Sequence, residues 1–240
     1  MNSLLVLRRM VLGTVLGLLA LASVPVVRAE LPSSAPAAAP IAALYETRIV
    51  AKEKGAKPQT TRWYFMREAG RVEVRDEHGH TGELWERDPS GKVFHSRLFH
   101  DDRAQIEYGP TEFQVLGKTW GRVSTLIDRN ALGSTLKRIG QGHRAGRLVE
   151  RFRGTAEGRP VDVSWDSALA LPAEIHGEDA QKTTTVRLLR TWASGQAPLA
   201  MTAAETLAGY RQVDGADLGD MESDPLVMRV LQQTGQDHRH

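Results

Sequence analysis

The stretch HGHTGELWERDPSGKVFHSRLFH, His78 to His100, decides the fold. Its centre, Asp88-Pro89-Ser90-Gly91-Lys92, has the chemistry of a type I turn followed by a left-handed glycine. Proline presets φ at the second position, and glycine takes φ > 0 without strain. The flanks Glu83–Arg87 and Val93–Phe99 read as strands, so the stretch is expected to be a β-hairpin. In that register Asp88 pairs with Lys92, Trp85 faces His95, Glu83 faces the opposite charge of Arg97, and His80 faces His100.

Four histidines among carboxylates raise the question of a metal. Side chains alternate faces along a strand, which puts His95 and His100 on opposite sides of the sheet and forbids a single cluster of four. A conditional pair remains, His80 with His100, helped by His78 and by Asp101 or Asp102. Directly opposed residues have Cβ atoms about 5 Å apart, close enough to share copper or zinc. The competing reading is of polar residues on the wet face and at the frayed end of a hairpin.

The neighbouring sequence repeats the strand pattern. Val72 and Val74 alternate with Arg71, Glu73 and Arg75, while Val161, Val163 and Trp165 alternate with Asp162 and Ser164. Each pattern suits a sheet with one buried and one wet face. Further strands are expected at Tyr45–Ala51, Thr61–Arg67, Ala104–Tyr108, Arg147–Arg153, Ala173–His176 and Thr183–Thr191. Gly140 to Gly146 reads as a turn leading into the strand at Arg147. Ten or so sequential strands with short turns imply an antiparallel meander.

Thr119–Ala131 is the exception, since Trp120, Val123, Leu126, Ile127 and Ala131 recur at helical spacing. This helix is expected to lay its apolar stripe on the sheet. After Trp192 the composition shifts. Ser194 to Pro198 reads as a linker, Thr202–Ala208 as a short helix, and Pro225–Gln233 as another, capped by Ser223 or Asp224. The acidic GADLGDMESDP between them lacks a calcium-loop spacing and reads as a structured loop. The organisation expected is therefore a β domain over residues 41–193 with a helical appendage over 194–240.

The N-terminal end carries an address. Arg8 and Arg9 precede an apolar run from Met10 to Val27, broken by Pro25, and Val27-Arg28-Ala29 stands before Glu30. That is the pattern of a secretory signal peptide over residues 1–29, and it predicts a periplasmic protein with no stable membrane insertion once the signal is cleaved. Arg8-Arg9 also leaves the twin-arginine route open. Residues 30–40 form a Pro/Ala/Ser linker. Without its signal the chain loses three arginines and no acid, leaving 28 basic against 29 acidic side chains. A net charge of −1 removes the electrostatic footing for nucleic-acid binding. With no cysteine, lipidation at the cleavage site, disulfides, thiolate metal sites and covalent haem attachment are excluded.

No nucleophile elbow, H-E-x-x-H, Walker A loop or calcium loop is present, so the residues assemble no catalytic site and call for no cofactor. The C-terminal Asp237-His238-Arg239-His240 offers a second H-x-H, at a chain end where disorder is the expected state.

The phrase Ser164-Trp165-Asp166-Ser167-Ala168-Leu169-Ala170-Leu171-Pro172-Ala173-Glu174-Ile175, with the signal, the meander and the inserted helix, resembles the periplasmic lipoprotein-carrier (LolA/LolB-like) superfamily. Members show a strand ending in aspartate, a short turn, then Leu-Pro and another strand. Gly82 to Asp88 similarly resembles an earlier strand. The resemblance spans Tyr45 to Trp192. It implies a half-open β-barrel whose concave face, lidded by helices, holds acyl chains or another apolar ligand, and without a lipidatable cysteine the chain resembles the soluble carrier type. Two departures stand out: the family's long N-terminal helix is replaced by the Pro/Ala segment, and the C-terminal appendage has no counterpart.

Trp63 and Phe65 share one strand face, Val161, Val163 and Trp165 another, Trp85 lies in the hairpin, and Trp120 belongs to the covering helix. The five aromatics Trp63, Phe65, Trp85, Trp120 and Trp165 are the expected lining of a cavity for an apolar or acylated ligand, a closed core being the competing reading. The alternative function is an accessory role, binding a metal through His80 and His100 or docking on an envelope protein.

Overall fold

A computed structural model describes residues 38–111, 118–156, 158–221 and 223–228. The signal segment, most of the Pro/Ala linker, Glu222 and the C-terminal residues 229–240 lie outside the described residues. Twelve strands make one sheet: β1 (Ile41–Ala51), β2 (Gln59–Glu68), β3 (Arg71–Asp76), β4 (Thr81–Arg87), β5 (Val93–Phe99), β6 (Ala104–Tyr108), β7 (Leu136–Arg144), β8 (Arg147–Ala156), β9 (Arg159–Asp166), β10 (Leu171–Glu178), β11 (Lys182–Trp192) and β12 (Arg211–Asp214). Their order is β12-β6-β5-β4-β3-β2-β1-β11-β10-β9-β8-β7. Two antiparallel meanders, β1–β6 and β7–β11, join through the β1–β11 pair, and the connection from β6 to β7 carries helix α1 (Trp120–Thr125). The sheet is curved and stays open.

The hairpin register holds: Trp85 pairs with His95, Glu83 with Arg97, and Gly91 takes a φ of 87°. Asp88 accepts from the Lys92 backbone N–H at 2.9 Å, closing the turn. The Ser164–Ile175 phrase also has a physical reason. Asp166 ends β9 and its Oδ1 accepts from the N–H groups of Ala168 and Leu169 at 3.0 and 3.1 Å, which makes the turn. Pro172 sits at a register shift of the β9–β10 pair, where a missing N–H costs no ladder bond.

Alternation gives the sheet two faces with different covers. The inner face gathers Tyr45, Trp63, Phe65, Val74, Trp85, Val163, Trp165, Leu171 and Val186 in the main core, closed by α1 and the residues after it. Farther along the same face, Phe99, Ile106 and Val213 pack with Leu226 and Val227. On the outer face the chain after β11 crosses as a strap. Leu199 and Met201 pack on Ala42, Tyr64 and Met66, and Leu207 and Tyr210 on Leu84 and Leu98. The strap is locked at Thr202. Buried Glu73 of β3 accepts from the Thr202 N–H at 2.7 Å and from its hydroxyl at 2.9 Å, while the Arg75 guanidinium donates to the same carboxylate. Arg71 donates to the Thr202 carbonyl at 3.0 Å.

Three expectations need correction. The helix expected over 119–131 stops at Thr125, because Leu126 takes a left-handed φ of 63°; a 3-10 turn, Arg129–Ala131, follows after Asp128 caps Asn130. Gly140–Arg144 belongs to strand β7, and the turn is confined to Ala145-Gly146. The appendage contributes α2 (Ala204–Ala208), shorter than the expected 202–208, a 3-10 stretch (Gly215–Asp220) and a helical turn over 225–228; the remainder of the helix expected over 225–233 lies outside the described residues. The appendage also adds the strand β12, parallel to β6 at one edge of the sheet.

Candidate functional site

The lid over the inner face is held at both ends. Thr119 caps α1 by accepting the Arg122 N–H. Just before it, Lys118 Nζ lies 3.7 Å from Glu83 Oε2 and 5.2 Å from the Trp85 ring centroid. Burial raises the Glu83 carboxyl, but the His95 imidazole 3.4 Å away and the charges of Lys118 and Arg97 outweigh it and bring the group down to about 2. At the other end Arg67 of β2, 2% exposed, donates to Ser124 O at 2.8 Å, Leu169 O at 2.9 Å, Ala170 O at 3.3 Å and Ala39 O at 3.0 Å. A single guanidinium thus satisfies carbonyls from α1, from the β9–β10 turn and from the chain entering β1. Burial pushes it down to about 10, so it stays charged at neutral pH.

Beyond Leu126 the lid leaves a cleft. Leu126, Ile127 and Ala131 form its roof, Trp63, Val161, Val163, Ile175 and Val186 its floor, and Leu136 with Pro160 one side. The cavity measures about 80 Å³. Water is held in such a space only by several polar partners, and an apolar cavity otherwise stays dry and takes apolar guests. The charged rim is largely self-satisfied: Arg159 pairs with Asp179 at 3.3 Å and Lys52 with Glu178 at 2.6 Å.

Of the five aromatics expected to line a cavity, Trp63 meets this cleft. Its ring stacks on Tyr45 at 4.8 Å and its Nε1 donates to Thr47 Oγ1 at 3.0 Å. Tyr45 in turn donates to the Pro172 carbonyl at 2.9 Å, and burial keeps its phenol neutral. Phe65 and Trp165 are buried in the core behind the cleft, and Trp120 is half-buried against that core. Trp85 is buried in the same core away from the cleft lining, stacked on His95 at 5.1 Å. The aliphatic walls Leu136, Ile175 and Val186 escaped sequence reasoning. Ile175 and Val186 are directly paired across β10 and β11, a relation that only the register reveals.

His80 and His100 pair through their backbones, the His100 N–H donating to His80 O at 2.9 Å, but their side chains diverge. His80 is exposed with Nδ1 2.8 Å from Asp101, and its ring centroid is 5.9 Å from that of His78. His100 turns under the strap, its Nδ1 2.8 Å from the Tyr210 hydroxyl, and burial with the Arg75 charge holds its pKa below the usual imidazole value. Among the described residues no three metal-ligating side chains converge. The H-x-H at 238–240 lies outside the described residues.

No family model matches the sequence, and no curated protein matches it. The chain is similar in structure to PNGF-II, with 10% identity over 76% of this chain and a TM-score of 0.44, and it spans 32% of that chain. It is also similar to MucB in the MucA/MucB complex of Pseudomonas aeruginosa, with 16% identity, a TM-score of 0.33, and 72% of this chain and 58% of that one covered. A LolA superfamily protein from Nitrosomonas europaea aligns with 8% identity and a TM-score of 0.35, over 68% of this chain and 89% of that one. LolA-superfamily structures are thus among those to which this chain is similar. No helix among the described residues is long and apolar enough to cross a membrane.

Proposed function

We propose that this chain is a periplasmic carrier or binding protein for a lipid-like or acylated ligand, which it holds between the inner face of the sheet and the lid and on which it performs no covalent chemistry. The observation that carries the reading is the apolar cleft, roofed by Leu126, Ile127 and Ala131 and floored by Trp63 and Val163. Burial of an apolar chain there contributes about 0.8 kcal/mol per methylene. The signal-like residues 1–29 support the compartment.

The lid is held by its contacts with the sheet. Its helix is only six residues long, too short to be stable alone, so its position depends on the Arg67 and Lys118 contacts and on apolar packing. The experiment is uptake of a fluorescent fatty acid by the wild type and by Val161→Glu, which places a charge on the half-buried cleft floor. Saturable uptake abolished by the substitution, with an unchanged β-type circular dichroism spectrum, supports the reading; equal uptake by both proteins overturns it.

A further inference from the structure

The outer face differs between the two halves of the sheet. The strap covers β1–β5, whereas over β8–β11 the side chains form two ladders in the open. The register sets Arg151, Ser164, Glu174 and Arg187 in one row and Arg153, Asp162, His176 and Thr185 in the next. Between the rows lies a polar cavity of about 130 Å³ lined by Arg144, Arg151, Asp162, Ser164, Glu174 and His176.

The charges in these rows do not cancel. Arg153 takes Asp162 at 2.6 Å and Arg187 takes Glu174 at 3.1 Å, with Arg144 at 3.5 Å from the same Glu174. Four arginines therefore face two carboxylates that are already engaged. Arg151 makes no ion pair among the described residues; its stem crosses Gly142, where an added Cβ would sit 3.5 Å from Arg151 Cδ. Ser164 is 6% exposed as a residue, and its hydroxyl, which makes no hydrogen bond among the described residues, opens on the cavity. His176 holds Thr185 Oγ1 through Nδ1 at 3.1 Å, which leaves Nε2 as the nitrogen able to meet a ligand.

We infer that this outer face binds an oxyanion of the phosphate class, with Arg151 as its principal cation, Arg144 beside it, and the Ser164 hydroxyl and His176 Nε2 as neutral hydrogen-bonding groups. A guanidinium suits such a ligand because its planar fork donates two parallel hydrogen bonds to one tetrahedral group. Asp162 and Glu174 hold the neighbouring arginines in place, and their own engagement reduces the repulsion an anion meets. The site lies across the sheet from the apolar cleft and does not depend on the cleft having a ligand.

The test is titration of the full exported chain with inorganic phosphate at low ionic strength, followed by calorimetry. Saturable binding is expected, weakened at least tenfold in Arg151→Met, weakened by a smaller factor in Ser164→Ala, and unchanged in Lys57→Met, a turn lysine remote from the cavity. Because Arg151 is exposed, its variant should keep the wild-type circular dichroism spectrum. Co-sedimentation with phosphatidylglycerol vesicles, competed by free phosphate, would identify a lipid headgroup as the source. Phosphate binding without co-sedimentation would identify a free phosphate. Either result requires the site. Absence of saturable phosphate binding, or equal weakening in Arg151→Met and Lys57→Met, overturns it.

Discussion

Arg67 Nη1 stands 2.8 Å from the Ser124 carbonyl oxygen, joining the second strand of the sheet to the last turn of a helix 57 residues away. A buried guanidinium spent on carbonyls is costly unless the fold needs what it joins. Here it joins the lid to the sheet at the end where the apolar cleft begins.

Arg67→Leu removes the donors from four carbonyls at once. Each acceptor left dry costs about 1–3 kcal/mol, and water reaching some of them lowers the sum, so a loss of about 3 kcal/mol in a denaturant titration is expected. Hydrogen exchange should accelerate most over residues 119–127. A loss of stability without faster exchange in the lid would show that Arg67 acts on the sheet alone.

Glu83 makes a pH prediction. Its folded pKa of about 2 lies below the ordinary 4.5, so its contribution is complete above about pH 4.5 and is lost as pH falls towards 2. With about 1.4 kcal/mol per pKa unit, the contribution at neutral pH is on the order of 3 kcal/mol. Glu83→Gln should therefore flatten the fall of the denaturation midpoint between pH 5 and 3. A variant that follows the wild-type curve would assign the acid sensitivity elsewhere.

Thr202→Val tests the strap. It leaves the Glu73 carboxylate, fully buried, without the hydroxyl that donates at 2.9 Å, at a cost of about 1–3 kcal/mol. Limited proteolysis should then cut first within residues 193–203, before any cleavage in β1–β5. Cutting elsewhere first would mean that the strap is held by its apolar contacts.

Phe65 separates core from cleft. It is fully buried behind the cleft floor, so Phe65→Ala should cost about 3–5 kcal/mol while leaving the acyl preference of the folded fraction unchanged. A large change in ligand preference at small stability cost would place Phe65 in the binding surface.

The hairpin at His78–His100 was legible because turn chemistry and alternation agree: Pro89 and Gly91 fix the loop, and Trp85 and His95 then fall opposite each other. The strand β7 was hidden because Gly140, Gly142 and Gly146 imitate a turn. β12 has four residues and a partner about a hundred positions earlier, which no local pattern records. Helical spacing over 119–131 correctly marked the residues that face the sheet, yet the helix ends at Thr125. Leu126 and Ile127 are both buried, so their packing on the inner face outweighs helix continuation. The same limit governs the site: aromatic residues marked the inner face, but most of them became core, and the cleft fell to aliphatic residues brought together by register and by the turn at Leu126.

An apolar ligand in the cleft would be detected by native mass spectrometry on the exported, untagged chain. A bound mass of acyl-chain size is expected, removed by solvent extraction and restored by incubation with a fatty acid or lysophospholipid. A bare mass that stays bare after that incubation would contradict it.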